Sequence, residues 1–139
     1  MGKIVVKTKI WNFGDELKAR DNLIGWEKIR AVEVDVLVDT GAAMLALPLG
    51  IVEELGLVLG KSVKVTYANG KVEEKEVAYG VKLELLGREA ETYALVEPEG
   101  QQVLIGQIVL EGLDLYPNPK KGTLEPRPGS PDMPMMESY

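Results

Sequence analysis

The sequence predicts an all-β domain, mainly strands with one or two short helices, and three observations carry that expectation. Apolar residues recur at alternate positions in several short runs. Asn69-Gly70 stands between two such runs, the strongest short hairpin signal. Helical spacing appears only in two brief stretches.

Lys3 to Trp11 alternates, with Ile4, Val6, Thr8 and Ile10 on one side and Lys3, Val5, Lys7 and Lys9 on the other, so it reads as a strand. Asn12 to Ile24 is polar and turn-rich. A second strand runs from about Lys28 to Val38 on Ile29, Ala31, Val34, Val36 and Val38, and the pair suggests a long hairpin. Leu49 to Leu55 has Leu49, Ile51, Val52 and Leu55 at helical spacing, with Gly56 placed as a helix C-cap glycine. Lys64 to Tyr67 and Lys71 to Val77 flank Ala68-Asn69-Gly70 and predict a projecting hairpin. Val81 to Leu86 and Glu91 to Val96 flank Gly87-Arg88 and predict another. Val103 to Gly106 reads as a short strand, and Ile108 to Leu113 as one or two helical turns ending near Gly112. Prolines at 117, 119, 126, 128, 131 and 134 mark a change of composition. Thr123 to Glu125 can still form an edge strand, so the domain is placed at 1–125 and a Pro- and Met-rich flexible tail at 126–139. Gly129 to Tyr139 is expected to be disordered or bound to a partner.

A chain of 139 residues fits one core. Its 45% hydrophobic and 27% charged residues are those of an ordinary soluble globular protein. The net charge of -6 argues against nucleic acid, since neutralising phosphates needs a basic face. Cysteine and histidine are both absent, which removes Ser-His-Asp and Cys-His pairs and the usual zinc sites. No disulfide framework is possible, in keeping with a cytoplasmic location. Lys3, Lys7 and Lys9 interrupt any signal-peptide core, Val6 breaks the myristoylation pattern after Gly2, and no run is long enough to span a membrane. Neither export nor a membrane partner is expected, and no cofactor or metal.

Gly56-Leu57-Val58-Leu59-Gly60-Lys61-Ser62 looks like a phosphate-binding loop, but only three residues separate its glycines and a strand follows, so it reads as a helix exit and a turn. Glu53-Glu54 and Glu73-Glu74 with Glu76 read as solvated surface, because neighbours do not share a face on a helix or strand. Trp11 and Trp26 read as core or hairpin-packing residues. Asp39-Thr40-Gly41 can be only a turn, with Asp bonding its own backbone and Gly supplying an unusual dihedral. Its setting says more. Val34, Val36, Leu37 and Val38 lead into it, Ala42 and Ala43 allow close approach, and Leu45 to Pro48 returns to the core. A carboxylate at the end of a buried strand is costly unless paired or functional.

Val34 to Pro48, an apolar strand followed by Asp-Thr-Gly-Ala, resembles the active-site signature of the prokaryotic type of retropepsin-like aspartic proteases. Val103-Leu104-Ile105-Gly106 followed by Ile108-Val109-Leu110 is similar to the family's second element, which passes behind the catalytic loop. Asn69-Gly70 falls where the family carries its flap tip, and Asn118-Pro119-Lys120-Lys121-Gly122 echoes a DPxxG-like ending. The resemblance covers roughly residues 30 to 125. It implies a closed acid-protease barrel, half of a pepsin-like bilobal enzyme.

The resemblance also implies an aspartic endopeptidase acting on extended polypeptides. One Asp39 from each subunit of a homodimer would share a proton and activate a water. Thr40 would bond across the dimer, Gly41 would let substrate backbone approach, and Ala42 would complete the loop. Asn69, Gly70 and Tyr67 would cover the cleft beside Ala43, while Leu104, Ile105 and Gly106 would pack behind Asp39. Two positions depart from the pattern: Ala43, where many relatives carry Ser or Asp, and Gln107, where many have Asn, Asp or Arg. Ala43 bears on substrate affinity. A second reading is therefore a catalytically weak or inactive dimeric peptide-binding module on the same fold, and a third a monomeric β-rich domain in which Asp39 is only a turn residue.

Overall fold

A computed structural model describes residues 3–134, so the amino-terminal Gly2 pattern and the tail beyond 134 lie outside the described residues. Strand β1 (Val5–Asn12) is followed by helix α1 (Phe13–Arg20), a 3-10 turn at Trp26–Lys28, and strand β2 (Ala31–Val38). The two strands pair antiparallel along their length, from Val5 opposite Leu37 to Trp11 opposite Ala31. The expected alternation holds, with Thr8 and Ile10 buried and Lys7 and Lys9 exposed.

They are neighbours without a tight turn between them. Where a turn-rich polar segment was expected, Asn12 caps α1 by accepting the N–H of Asp15. Asp15 and Glu16 stand in the first turn, and Lys18 and Arg20 in the last, as the helix dipole favours. The helix gives little hydrophobic signal because its buried residues are Asp15, Glu16 and Ala19. Trp11 is core, as its reading had it. Trp26 is not: it is 56% exposed, and the Arg20 guanidinium stacks over its ring at 5.4 Å.

The chain continues through β3 (Leu45–Pro48), α2 (Leu49–Glu54), β4 (Val58–Leu59), β5 (Val63–Thr66), β6 (Val72–Lys75), β7 (Val77–Leu85), β8 (Arg88–Glu97) and β9 (Leu104–Ile105). It ends with α3 (Gln107–Leu113), β10 (Leu115–Asn118) and β11 (Thr123–Pro126). Hydrogen-bonded neighbours run β1-β2-β9-β3-β8-β7, and β7 pairs back onto β1, closing a six-stranded barrel. Strand β4 pairs with the start of β7. The fold is thus mainly β with short helices, a closed barrel of the kind that the resemblance to retropepsin-like proteases implies.

Inside it lie Ile10, Val36, Leu45, Leu47, Val81, Leu83, Ile105 and Leu110, all at 1% exposure or less. Each contributes roughly 1.5–3 kcal/mol of burial. Helix α2 ends as expected, with Gly56 at a φ of +61°. The β7–β8 turn carries positive φ at Leu86 and Gly87, matching the twist of a two-residue hairpin. Helix α3 runs past Gly112, because Asp114 itself adopts the left-handed conformation that stops it.

Strands β5 and β6 form one separate two-stranded sheet, and β10 and β11 another. The edge strand at Thr123 to Glu125 therefore forms, paired with β10. Past the boundary drawn at residue 125, Pro126 pairs with Leu115, and Ser130 is buried and donates to the Asp114 carboxylate.

Candidate active site

Asp39 leaves the end of β2, and its position is set by backbone bonds on two sides. From β9 and the residue before it, the carbonyls of Val103 and Ile105 accept the N–H groups of Leu37 (2.9 Å) and Asp39 (3.0 Å). From α3, the N–H groups of Gln107 and Ile108 donate to the carbonyls of Ala42 (2.8 Å) and Ala43 (3.0 Å). The first turn of a helix leaves N–H groups without helical partners, and here the loop supplies the acceptors. Contact is close enough to require Gly106, since a Cβ there would lie 2.5 Å from the carbonyl carbon of Ala43.

Within the loop, the N–H of Ala42 donates to the Asp39 carbonyl at 3.1 Å and that of Gly41 to Asp39 Oδ1 at 3.0 Å. The local turn is therefore real, and the carboxylate takes part in it. Gly41 is not among the positive-φ glycines. Its lack of a side chain leaves room at the carboxylate, since a Cβ would sit 3.2 Å from Asp39 Oδ1. Asp39, Thr40, Gly41, Ala42 and Ala43 are thus brought together with Leu104, Ile105 and Gly106.

Burial differs from the sequence expectation. Of Val34, Val36, Leu37 and Val38 only Val36 is fully buried, Asp39 is half-buried, and Thr40, Gly41 and Ala43 are exposed. Strand β2 alternates between core and surface, so one chain alone does not enclose the carboxylate. Among the described residues no Lys or Arg forms an ion pair with Asp39. A concavity of about 330 Å³ adjoins it, lined by Lys3, Ile4, Leu37, Val38, Thr40, Pro117 and Pro119.

Tyr67, Asn69 and Gly70 lie apart from this loop, on the β5–β6 hairpin. The Tyr67 carbonyl accepts the N–H of Gly70 at 2.9 Å, Gly70 has a φ of +83°, and Asn69 Oδ1 accepts the N–H of Lys71. Asn69 and Gly70 are exposed, and Tyr67 is half-buried.

The hairpin's root is ionic. Lys75 Nζ lies 2.8 Å from Glu97 Oε2 on β8 and 3.2 Å from Glu73 Oε2, and Lys71 also meets Glu73. The bond from Glu97 holds the Lys75 pKa up, and burial followed by the Glu97 charge pushes the Tyr67 phenol up. These groups border a cavity of about 430 Å³ that reaches Pro98 and Gln101. Sequence reading missed Lys75 and Glu97, because their partnership depends on β6 meeting β8. Glu73 is half-buried and ion-paired, while Glu53, Glu54, Glu74 and Glu76 are exposed.

Among the described residues, no cluster of three or more acidic side chains could hold a metal ion, and no helix is long and apolar enough to cross a membrane. Compared with known proteins, residues 28–112 match the model of a family described as gag-polyprotein putative aspartyl protease. The match takes in β2, the Asp39 loop, the β5–β6 hairpin and most of α3. No curated protein matches the chain.

Proposed function

The chain belongs to the gag-polyprotein putative aspartyl protease family, and from that premise we propose that it is an aspartic endopeptidase that cuts extended polypeptides as a homodimer. The observation that carries this reading is the Asp39 loop. Its backbone is bonded from β9 and α3, while its carboxylate is left without a cationic partner among the described residues.

One chain supplies one such aspartate. The other aspartates, at 15, 21, 35, 114 and 132, lie outside this loop. Two chains related by a two-fold axis would bring two Asp39 carboxylates together. Two carboxylates at that range cannot both ionise, so one would keep a proton while the other takes one from a bound water. The water attacks the peptide carbonyl, and the protonated carboxyl passes its proton to the departing nitrogen. Dimer formation would also cover Thr40 and the half-exposed face of Asp39, supplying the enclosure that a single chain lacks. The hairpin carrying Tyr67, Asn69 and Gly70 would close over the substrate, exclude water and bond its backbone. Polypeptide is the substrate class and a second copy the partner. No cofactor enters the reaction.

The test is cleavage of an unfolded protein at mildly acidic pH by wild type and Asp39→Asn, with sedimentation run on both. The proposal expects dimers in each case and cleavage by wild type alone; equal cleavage removes Asp39 from the mechanism. The exposed Ala43 favours the second reading, a dimeric peptide-binding module of little activity. Intact dimers that fail to bind a statine-type transition-state mimic would select it.

A further inference from the structure

Arg88 is the one buried basic side chain among the described residues, at 3% exposure. It opens β8 opposite Leu85, directly after the tight β7–β8 turn. Burying a guanidinium is costly unless its donors are satisfied. Here Nη1 donates to the carbonyls of Leu113 (3.0 Å) and Asp114 (3.1 Å), and Nη2 donates to the carbonyl of Ser130. The first two lie at the carboxyl end of α3, where the helix dipole is negative and carbonyls lack helical partners.

The chain past β11 meets the same point. The N–H of Arg127 donates to the Asp114 carbonyl at 3.2 Å, Arg127 Nε lies 3.2 Å from Asp114 Oδ1, and the Ser130 hydroxyl donates to Asp114 Oδ2. The N–H of Ser130 returns to the carbonyl of Arg127 at 2.9 Å, closing a turn. One end of α3 is thus held by Arg88 and residues 127–130, and the other holds the carbonyls of Ala42 and Ala43. Seven residues of helix span only ~10 Å. Val109, Leu110 and Leu113 are buried along it, so the helix is packed against the core between its two held ends.

We propose that Arg88 and the segment 127–130 form a latch that fixes the position of α3 and, through it, the Asp39 loop. Arg88 is then a positioning residue for a reaction it never touches. Residues 127–130 belong to the working domain, although their composition marks them as tail. The kinetic half of this inference rests on the endopeptidase reading; the structural half does not.

The experiment compares full-length wild type with Arg88→Lys, which keeps the charge but loses the planar fork, and Asp114→Asn, which keeps the left-handed turn but loses the ion pair. Amide hydrogen exchange at Gln107 and Ile108 is read first, against Val36 and Leu83 as barrel references. The latch expects exchange at Gln107 and Ile108 to rise by ~10-fold in both variants, with the references unchanged. Turnover is expected to fall by ~10-fold with KM within a factor of two, since small displacements of a reacting group weigh on the chemical step. Exchange at Gln107 and Ile108 equal to wild type in both variants overturns the proposal. A lowered melting temperature with unchanged turnover also overturns it, because a purely structural Arg88 predicts that result. Should Arg88→Lys lose protection throughout the barrel, Asp114→Asn decides, since its ion-pair partner Arg127 is half exposed. Should wild type cleave nothing, the endopeptidase reading fails and the exchange data still judge the latch.

Discussion

Two acidic sites lie at opposite ends of the β1–β2 ladder, and they are built in opposite ways. At one end, Asp15 and Glu16 are buried and neutralised. The Asp15 carboxylate takes Arg30 in a bidentate pair, through Nε at 2.9 Å and Nη2 at 3.0 Å, and also accepts the Arg30 N–H at 3.0 Å. Glu16 accepts from Trp11 Nε1 at 2.6 Å and Arg20 Nε at 2.9 Å. At the other end, Asp39 is half-buried, and among the described residues its carboxylate accepts a single backbone N–H, that of Gly41. The contrast separates two uses of a carboxylate: one whose bonds are all satisfied holds elements together, whereas one left open, as Asp39 is, suits the role that the proposed peptidase gives it.

Breaking each site separately tests this division. Asp39→Asn is expected to lower peptidase turnover by ~1000-fold or more, the scale of losing a general base. Its unfolding midpoint should stay near wild type, because the amide oxygen can still accept the Gly41 N–H. A fall in stability as large as that seen at the other end of the ladder would sink the division.

Next in size is Gly106→Ala. A Cβ there would meet the Ala43 and Ala42 carbonyl groups at 2.5 to 2.7 Å, and backbone cannot swing aside as a side chain would. The expected cost is ~1–3 kcal/mol in urea unfolding, together with a loss of activity. Gly112→Ala is the control, for it meets nothing within 4 Å and lies in a helix. Unchanged activity in Gly106→Ala would show that the α3 contact does not set the loop.

Asp15→Asn is expected to cost ~1–2 kcal/mol, since Arg30 keeps access to water once its partner is gone. Activity per folded molecule should stay at wild type. The same site sets an acid limit. The bond from Arg30 holds the Asp15 pKa below its usual value. Burial alone would raise Glu16, but the bonds from Trp11 and Arg20 together carry it lower. Both folded values lie below the unfolded ones, near 3.9 and 4.3, so the stabilisation is complete above ~pH 5 and is lost as pH falls through the folded values. Asp15→Asn should therefore flatten the acid side of the stability curve, as read by thermal unfolding from pH 6 to 3.

The legibility of the sequence follows the same division. The Asp39 end could be read because its parts are contiguous: an alternating strand, Asp-Thr-Gly and the return to apolar residues. The second element was legible as Val103 to Gly106, although the bonds that Gln107 and Ile108 after it donate to Ala42 and Ala43 were not. The strands could be anticipated from alternation and the β5–β6 hairpin from Asn69-Gly70, but closure of the strands into a barrel was implied only by the resemblance, because it depends on β7 pairing back onto β1. Helix α1 could not be read from hydrophobic periodicity, since its buried face is acidic. The Asn12 cap with Asp15 three residues on was the signal that could have revealed it. Arg88 and Lys75 were invisible for another reason. Their partners lie 25 and 22 positions away in the chain, at Leu113 and Glu97, and only the closed barrel sets them side by side.

The smallest effect is expected at the hairpin, where the comparison can be sharpened. Lys75 and Glu97 are an ion pair like Asp15 and Arg30, with side chains 13% and 19% exposed, but they join a two-stranded sheet to the barrel. Global stability should therefore respond little to Lys75→Met, because β5 and β6 share no ladder with the core. The change should appear as a ~3-fold rise in KM with turnover unchanged, the mark of an element that holds substrate without touching the reacting bond. Adding Glu97→Gln should recover part of that rise, since the first change leaves a poorly hydrated carboxylate at the hairpin root. If Lys75→Met instead lowers the unfolding midpoint as much as Asp15→Asn, the hairpin is part of the core, and the division between holding and reacting carboxylates would need a third class.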